Sequence, residues 1–252
     1  MSTIDLNADL GEGYGDWRLG DDEALLDVVT TANVACGGHA GDPTTMRRAL
    51  RAAADRQVAV TAHVAYPDLQ GFGRRFLDIA PAELTDQILA QTGALQALAA
   101  ATGTRVRGVK PHGALYNAIA HHEAQAAAVV TALQELGGEP ALLAAPGSAV
   151  AALAERAGVP VLLEGFADRT YTPAGTLTPR REAGAVLTTA EEVTAQALSL
   201  ARDGQVRTTD GTVIDLPVRT LCLHGDTPGA VALARAVRER LEAEGMTIRA
   251  AL

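Results

Sequence analysis

The sequence predicts a parallel α/β fold of barrel type. Short, β-branched apolar runs alternate with longer Ala-, Leu- and Arg-rich segments of helical period, an order that implies parallel strands joined by right-handed crossovers. There are seven such runs, which suits a barrel or near-barrel better than a thin open sheet. The 252 residues are 48% hydrophobic and 20% charged, enough to fill the core of one such domain and too apolar for disorder.

The expected strands are 3–8, 28–35, 58–64, 106–110, 141–145, 160–166 and 219–224. The expected helices lie near 43–56, 81–102, 119–136, 147–157, 189–203 and 228–244. One stretch breaks the rhythm: VRTTDGTVIDL places Asp210-Gly211 between two β-like runs and reads as an inserted hairpin over 206–216. No linker, internal repeat or low-complexity tract interrupts the chain, so residues 1–252 read as one barrel domain. In the first strand Asp5, Asn7 and Asp9 alternate, and period two puts all three on one face. A polar face is costly in a core and sensible in a barrel mouth. Asp9 and Glu12 are the catalytic candidates of this segment, while Asp5 could act or merely brace the strand.

A net charge of −9 and a pI near 5.1 exclude a nucleic-acid binder, which needs a basic face, but leave room for a small anion held by local arginines. Two cysteines, Cys36 and Cys222, are too few for a disulfide framework. The N-terminus shows no basic region followed by an apolar one, and no run of 18 apolar residues occurs, so the cytoplasm is the expected location.

Sites of parallel α/β folds form at the carboxyl ends of the strands. Of the six histidines, His39, His63, His112 and His224 sit at these ends, with His121 and His122 just beyond one of them. A lone histidine is more often structural, but four at successive strand ends place at least one in the chemistry. His121 and His122 read as solvated or capping. All eight aromatic residues fall in the same connections, where rings can wall a pocket. Lys110 is the only lysine among 21 basic residues, which marks a place where a planar guanidinium will not serve. Arg74 and Arg75 could clamp a carboxylate or phosphate. Asp168 and Arg169 could pair with each other or face a ligand. Cys36 reads as a small buried residue rather than a nucleophile. The glycines of GEGYG (11–15) lack the spacing of a dinucleotide fingerprint, and no G-x-x-x-x-G-K-[ST] loop exists, so any nucleotide needs another cradle or another subunit.

The segments IDLNADLGEGYG, TANVACGGHAGDP, YPDLQGFGRR, VKPHGALYN, FADRTY and LCLHGD resemble the signatures of the LamB/YcsF family from the first strand to the final helix. The resemblance implies a seven-stranded β/α-barrel of the glycoside hydrolase/deacetylase type. It also implies ATP-dependent opening of 5-oxo-L-proline (pyroglutamate) to L-glutamate, in a complex with 5-oxoprolinase subunits B and C (PxpB and PxpC). The family has phenylalanine where Gly38 stands and Pro-Gly where Val64-Ala65 stands. Both departures are expected to enlarge the pocket or change substrate preference.

On this basis Asp9, His39 and His63 are expected to activate water, as general base or through a divalent metal. Lys110 and His112 would stabilise charge on oxygen or protonate the leaving nitrogen. Arg169, or Arg74 with Arg75, would hold the substrate carboxylate. His224 and Asp226 would complete the mouth. Asn7, Glu12, Tyr116, Asn117 and Asp168 complete the expected substrate-binding set. ATP could bind a partner subunit. Two other readings are a stand-alone metal-dependent hydrolase or deacetylase, and a non-catalytic substrate-binding subunit.

Overall fold

Seven strands pair side by side, all parallel, and the last returns to the first. They are β1 (Thr3–Leu10), β2 (Thr31–Ala35), β3 (Ala59–Val64), β4 (Val106–Pro111), β5 (Ala141–Ala144), β6 (Val161–Phe166) and β9 (Thr220–Leu223). Closure comes from β9, which pairs with β6 on one side and with β1 on the other. The computed structural model describes residues 2–225 and 229–252. The expected residue Asp226 and the start of the expected helix at 228 lie outside them.

The helices that cover the strands are α2 (Pro43–Asp55), α3 (Pro81–Ala100), α5 (Glu123–Leu136), α6 (Ala149–Arg156), α7 (Ala190–Leu198) and α8 (Ala230–Ala243). Two short helices were not anticipated, α1 (Asp22–Leu26) and α4 (Gly113–Ala118). The expected strand 28–35 therefore begins at Thr31, because Val28 and Val29 donate back to the Leu25 carbonyl and close α1. The expected helix 119–136 begins only at Glu123, and α4 is a separate helix that ends before it. His122 is the N-cap of α5, its Nδ1 accepting from Gln125 N at 3.3 Å. The helix expected over 189–203 ends in a π-helical turn, Ser199–Asp203. Strands β7 (Gln205–Arg207) and β8 (Val213–Asp215) form an antiparallel pair, and β10 (Thr247–Ile248) adds a short parallel pairing outside β1.

Alternation along β1 separates two environments. Ile4, Leu6, Ala8 and Leu10 belong to the apolar layer between strands and helices, together with Leu50, Leu84, Ile88 and Val237. Asp5, Asn7 and Asp9 face the lumen, where side chains meet across strands that are not neighbours: Lys110 Nζ on β4 reaches Asp9 Oδ1 on β1 at 2.8 Å. A polar lumen is tolerated only if its groups are satisfied, and they are linked in layers. At the amino end Asp5 accepts from Thr30, Thr31 and Thr220 at 2.6–2.8 Å, so it braces the strands. One layer up, Thr61 donates to Asn33, Asn33 to Asn7, and Asn7 to Thr220, at 2.6–2.7 Å. The third layer carries the ionisable groups.

The start of α2 ties the mouth together. Asp42 Oδ1 caps Thr44 N at 2.9 Å and Thr45 N at 3.2 Å, while Oδ2 accepts from Gly15 N at 3.0 Å. These donors, with the Thr45 hydroxyl foremost, hold the Asp42 carboxyl down at about 2. Asp42→Ala is expected to cost about 1 kcal/mol in urea unfolding at pH 7. Because the carboxyl is lowered on folding, the gap between wild type and variant is fully present above the ordinary aspartate value and shrinks as pH falls toward 2.

Candidate active site

Four buried side chains converge at the carboxyl mouth: Glu12 after β1, His39 after β2, His63 in β3 and His112 after β4. One ligand atom from each lies within 4.8 Å of all the others. Backbone carbonyls orient two of the imidazoles. His63 Nδ1 lies 3.0 Å from the Lys110 carbonyl, and His112 Nε2 lies 2.9 Å from the Phe72 carbonyl. A carbonyl can only accept, so each of these nitrogens carries a hydrogen. The opposite nitrogens, His63 Nε2 and His112 Nδ1, face each other at 3.0 Å, so a proton or a metal ion must lie between their lone pairs. Glu12 Oε1 stands 3.9 and 3.7 Å from these two and 3.0 Å from His39 Nε2. His39 stacks on His112 with centroids 3.7 Å apart, and its Nδ1 is buried without a hydrogen-bond partner.

Two lone pairs and a carboxylate aimed at one point repel unless a cation lies between them. Carbonyl-anchored imidazoles are also how proteins fix histidine as a metal ligand. Burial first, and the neighbouring imidazoles second, keep His39 and His112 well below the usual histidine range, in the neutral form that binds metal. The donor set of three imidazoles and one carboxylate suits a divalent transition ion such as zinc. The residues therefore fit the metal expected from the sequence, with one change of cast: Glu12, expected to touch substrate, takes the place expected of Asp9.

Asp9 sits beside this cluster. Its Oδ2 is 3.3 Å from His63 Nε2 and its Oδ1 is 2.8 Å from Lys110 Nζ. Burial alone would raise this carboxyl, but His63 and Lys110 outweigh it and hold it well below the usual carboxylate range. Lys110 is fully buried. Besides Asp9, its Nζ meets Glu164 Oε1 at 3.1 Å, Cys222 Sγ at 3.0 Å and Asn7 Oδ1 at 3.3 Å. Burial pulls the ammonium down, yet Asp9, Cys222 and Glu164 together raise it well above the ordinary lysine value. Glu164 is the residue the sequence reading missed. It lies within β6 between apolar neighbours, and only its period-two position, matched to Phe166 and Asp168 further along, could have signalled a lumen-facing side chain. Its carboxylate and the Tyr116 hydroxyl are buried with no hydrogen bond of good geometry, although Glu164 keeps its ion pair with Lys110.

On the far side of the mouth His224 Nδ1 lies 3.0 Å from both Asp168 oxygens, and His224 N donates to Asp168 Oδ2 at 3.1 Å. Burial would lower this imidazole, but the Asp168 carboxylate outweighs it and raises it. Phe166 joins the two halves of the site: His224 stacks on its ring and Lys110 Nζ lies 5.6 Å from the ring centroid.

Other expected residues are placed differently. Arg169 is buried, and its guanidinium donates to the Ala185 and Thr178 carbonyls at 3.1 and 2.6 Å, holding the loop after β6. Arg75 pairs with Asp68. Arg74 lies over the Phe72 ring at 5.0 Å, beside the histidines that Phe72 edges. Asn117 is exposed on α4. Two aromatics assigned to connections belong to elements: Tyr116 to α4 and Phe166 to β6. Cys36 is buried, donates to the His63 carbonyl at 3.4 Å, and is pushed up by burial, which suits a packing role. The space expected beside Gly38 is filled. A Cβ there would collide with the Gln91 amide, which bonds Ala65 N and Ala65 O at 2.9 Å each. Gly73 adopts φ +62°, and a Cβ on it would stand 2.9 Å from both His39 and His112, so only glycine lets this loop close over the rings.

A closed parallel barrel with a buried carboxylate–histidine cluster at its carboxyl mouth defines a β/α-barrel protein whose residues could hold a metal ion. Within that class the chain belongs to the LamB/YcsF family, which residues 4–252 match. It is 56% identical to the 5-oxoprolinase A-subunit of Streptomyces avermitilis over 98% of this chain and 99% of that protein. It is 54% identical to the corresponding A-subunit of Kocuria rhizophila over 99% of both. The crystal structure of the lactam utilization protein from Thermus thermophilus superposes with a TM-score of 0.93 at 40% identity, covering 98% of this chain and 99% of that one. No helix among the described residues is long and apolar enough to cross a membrane.

Proposed function

We propose that the chain opens the lactam ring of 5-oxo-L-proline as one component of an ATP-dependent 5-oxoprolinase that also contains subunits B and C. The observation that carries this reading is the pairing of two groups across one mouth, the Glu12–His39–His63–His112 cluster and the Asp168–His224 dyad. Relatives named as the A-subunit of 5-oxoprolinase, at more than half identity, support the substrate.

A five-membered lactam is a stable amide. Phosphorylation of its oxygen makes an imidate phosphate that water attacks readily, which gives ATP a role. The chain has no Walker-type loop, so the nucleotide is assigned to a partner subunit. Glu12, His39, His63 and His112 would hold a divalent ion, which when bound supplies Lewis-acid polarisation of oxygen and a more acidic water. Asp9, kept ionised, accepts the hydrogen bond of the attacking water and orients it. Lys110 secures Asp9 and contributes positive charge toward the developing oxyanion. His224, kept protonated by Asp168, donates its proton to the ring nitrogen as the C–N bond breaks, leaving γ-glutamyl phosphate, which a second water splits to glutamate and inorganic phosphate. Arg74 receives the anionic end of the substrate.

Glutamate release from 5-oxoproline tests this directly. The purified chain should be inactive alone and active with subunits B and C and ATP, and metal chelation should abolish the activity of the mixture. Hydrolysis by the chain alone without ATP would instead establish the stand-alone metal hydrolase that the same cluster could support.

A further inference from the structure

Five of the six exposed large hydrophobic side chains among the described residues lie in two loops. Tyr14, Trp17 and Leu19 follow β1, and Leu69 and Phe76 follow β3; only Val213, on the β7–β8 hairpin, lies elsewhere. The loop after β2 stitches these two into one arc of the mouth: Gly41 N donates to Gly13 O at 2.8 Å, and Asp68 N donates to Gly38 O at 3.0 Å. Trp17, the only tryptophan of the chain, is 76% exposed, on a turn closed by two backbone bonds between Tyr14 and Trp17 at 3.0–3.1 Å. Its ring is therefore displayed by ordered backbone. Arg18 and Arg74 are exposed on the same two loops.

Exposed tryptophan, tyrosine and arginine on ordered backbone are the composition of interface anchors. The loops that carry them also carry the site. Glu12 precedes Gly13, His39 follows Gly38, and the Phe72 carbonyl orients His112. The four clustered side chains are no more than 7% exposed, so displacement of this arc would widen the path to them. A second copy is a poor occupant, since identical chains of net charge −9 repel. The relatives are subunits of an assembly, which points to the alternative.

We propose that this arc is the docking surface for a different subunit of the same hydrolase. That subunit offers an apolar pocket for the Trp17 indole, rimmed by carboxylates that meet Arg18. Its docking opens the buried cluster to substrate. This inference rests on the oxoprolinase reading above.

The test is isothermal titration and gel filtration of the full chain with purified subunits B and C. Trp17→Ala should weaken association at least about 30-fold, Trp17→Phe should restore most of it, and Val213→Ala should change nothing. Thermal melting and zinc binding by the isolated Trp17→Ala chain should match wild type. Unchanged association of Trp17→Ala, equal weakening by Val213→Ala, or self-association of wild type lost in Trp17→Ala would each overturn the proposal. Failure of the wild-type chain to bind subunits B and C would instead refute the oxoprolinase reading.

Discussion

Lys110→Met is expected to lower both stability and turnover more than any other single change in the barrel. The side chain is enclosed by Asp9, Glu164, Cys222 and Asn7 within 3.3 Å. Removing the ammonium leaves two buried carboxylates without their shared counterion. Breaking one side of such a buried pair costs about 3–5 kcal/mol, which for a chain of this size is a fall in Tm of roughly 6–20 °C. Turnover of the reconstituted enzyme should fall by on the order of 100-fold or more, because Asp9 loses its anchor and the site loses a buried positive charge. Lys110→Arg should rescue neither, since a planar guanidinium does not fit four neighbours at that spacing. Adding Glu164→Gln to Lys110→Met should return part of the stability and none of the turnover. A double variant that regains activity would show that Lys110 serves the fold alone.

Asp168→Asn is expected to cost on the order of 100- to 10,000-fold in kcat, the range for loss of a positioned acid, and to lower the melting temperature most at acid pH, where His224 is charged. The amide preserves the shape but removes the charge that raises His224. The sign follows from linkage. A histidine raised on folding contributes stability that is complete below its ordinary value of about 6.5 and is lost as pH rises through the folded value. Wild type therefore keeps His224 protonated to higher pH than the variant does. The alkaline limb of the kcat profile should move toward acid in Asp168→Asn, and a profile that keeps its limb in place would remove His224 as the proton donor.

Much of the site was readable because its chemistry is written in residue types that parallel folds keep at strand ends. His39, His63 and His112 stood out by position, and Lys110 by being alone. Asp5, Asn7 and Asp9 declared a lumen face by alternation, and that face carries the cross-strand network. Glu164 stayed hidden because one glutamate in an apolar strand has no local partner in sequence, and its counterion, Lys110, lies two strands back in the chain. That Glu12 rather than Asp9 joins the three histidines was hidden for a related reason. Both lie at the end of the same strand, and a small offset along the backbone decides which one turns over the histidines and which one drops toward Lys110.

The sequence by itself determined the order of strands and helices, the end of the barrel that carries chemistry, and the family. Period, strand composition and motif spacing are local quantities, and those conclusions need nothing more. Only the tertiary structure decided which carboxylate joins the three histidines, that Arg169 is committed to backbone carbonyls, and that Gln91 fills the space beside Gly38. Each of those outcomes is a contest between groups far apart in the chain for one buried partner. Barrel closure, which brings β1, β4, β6 and β9 around a single lumen, sets the distances that settle it.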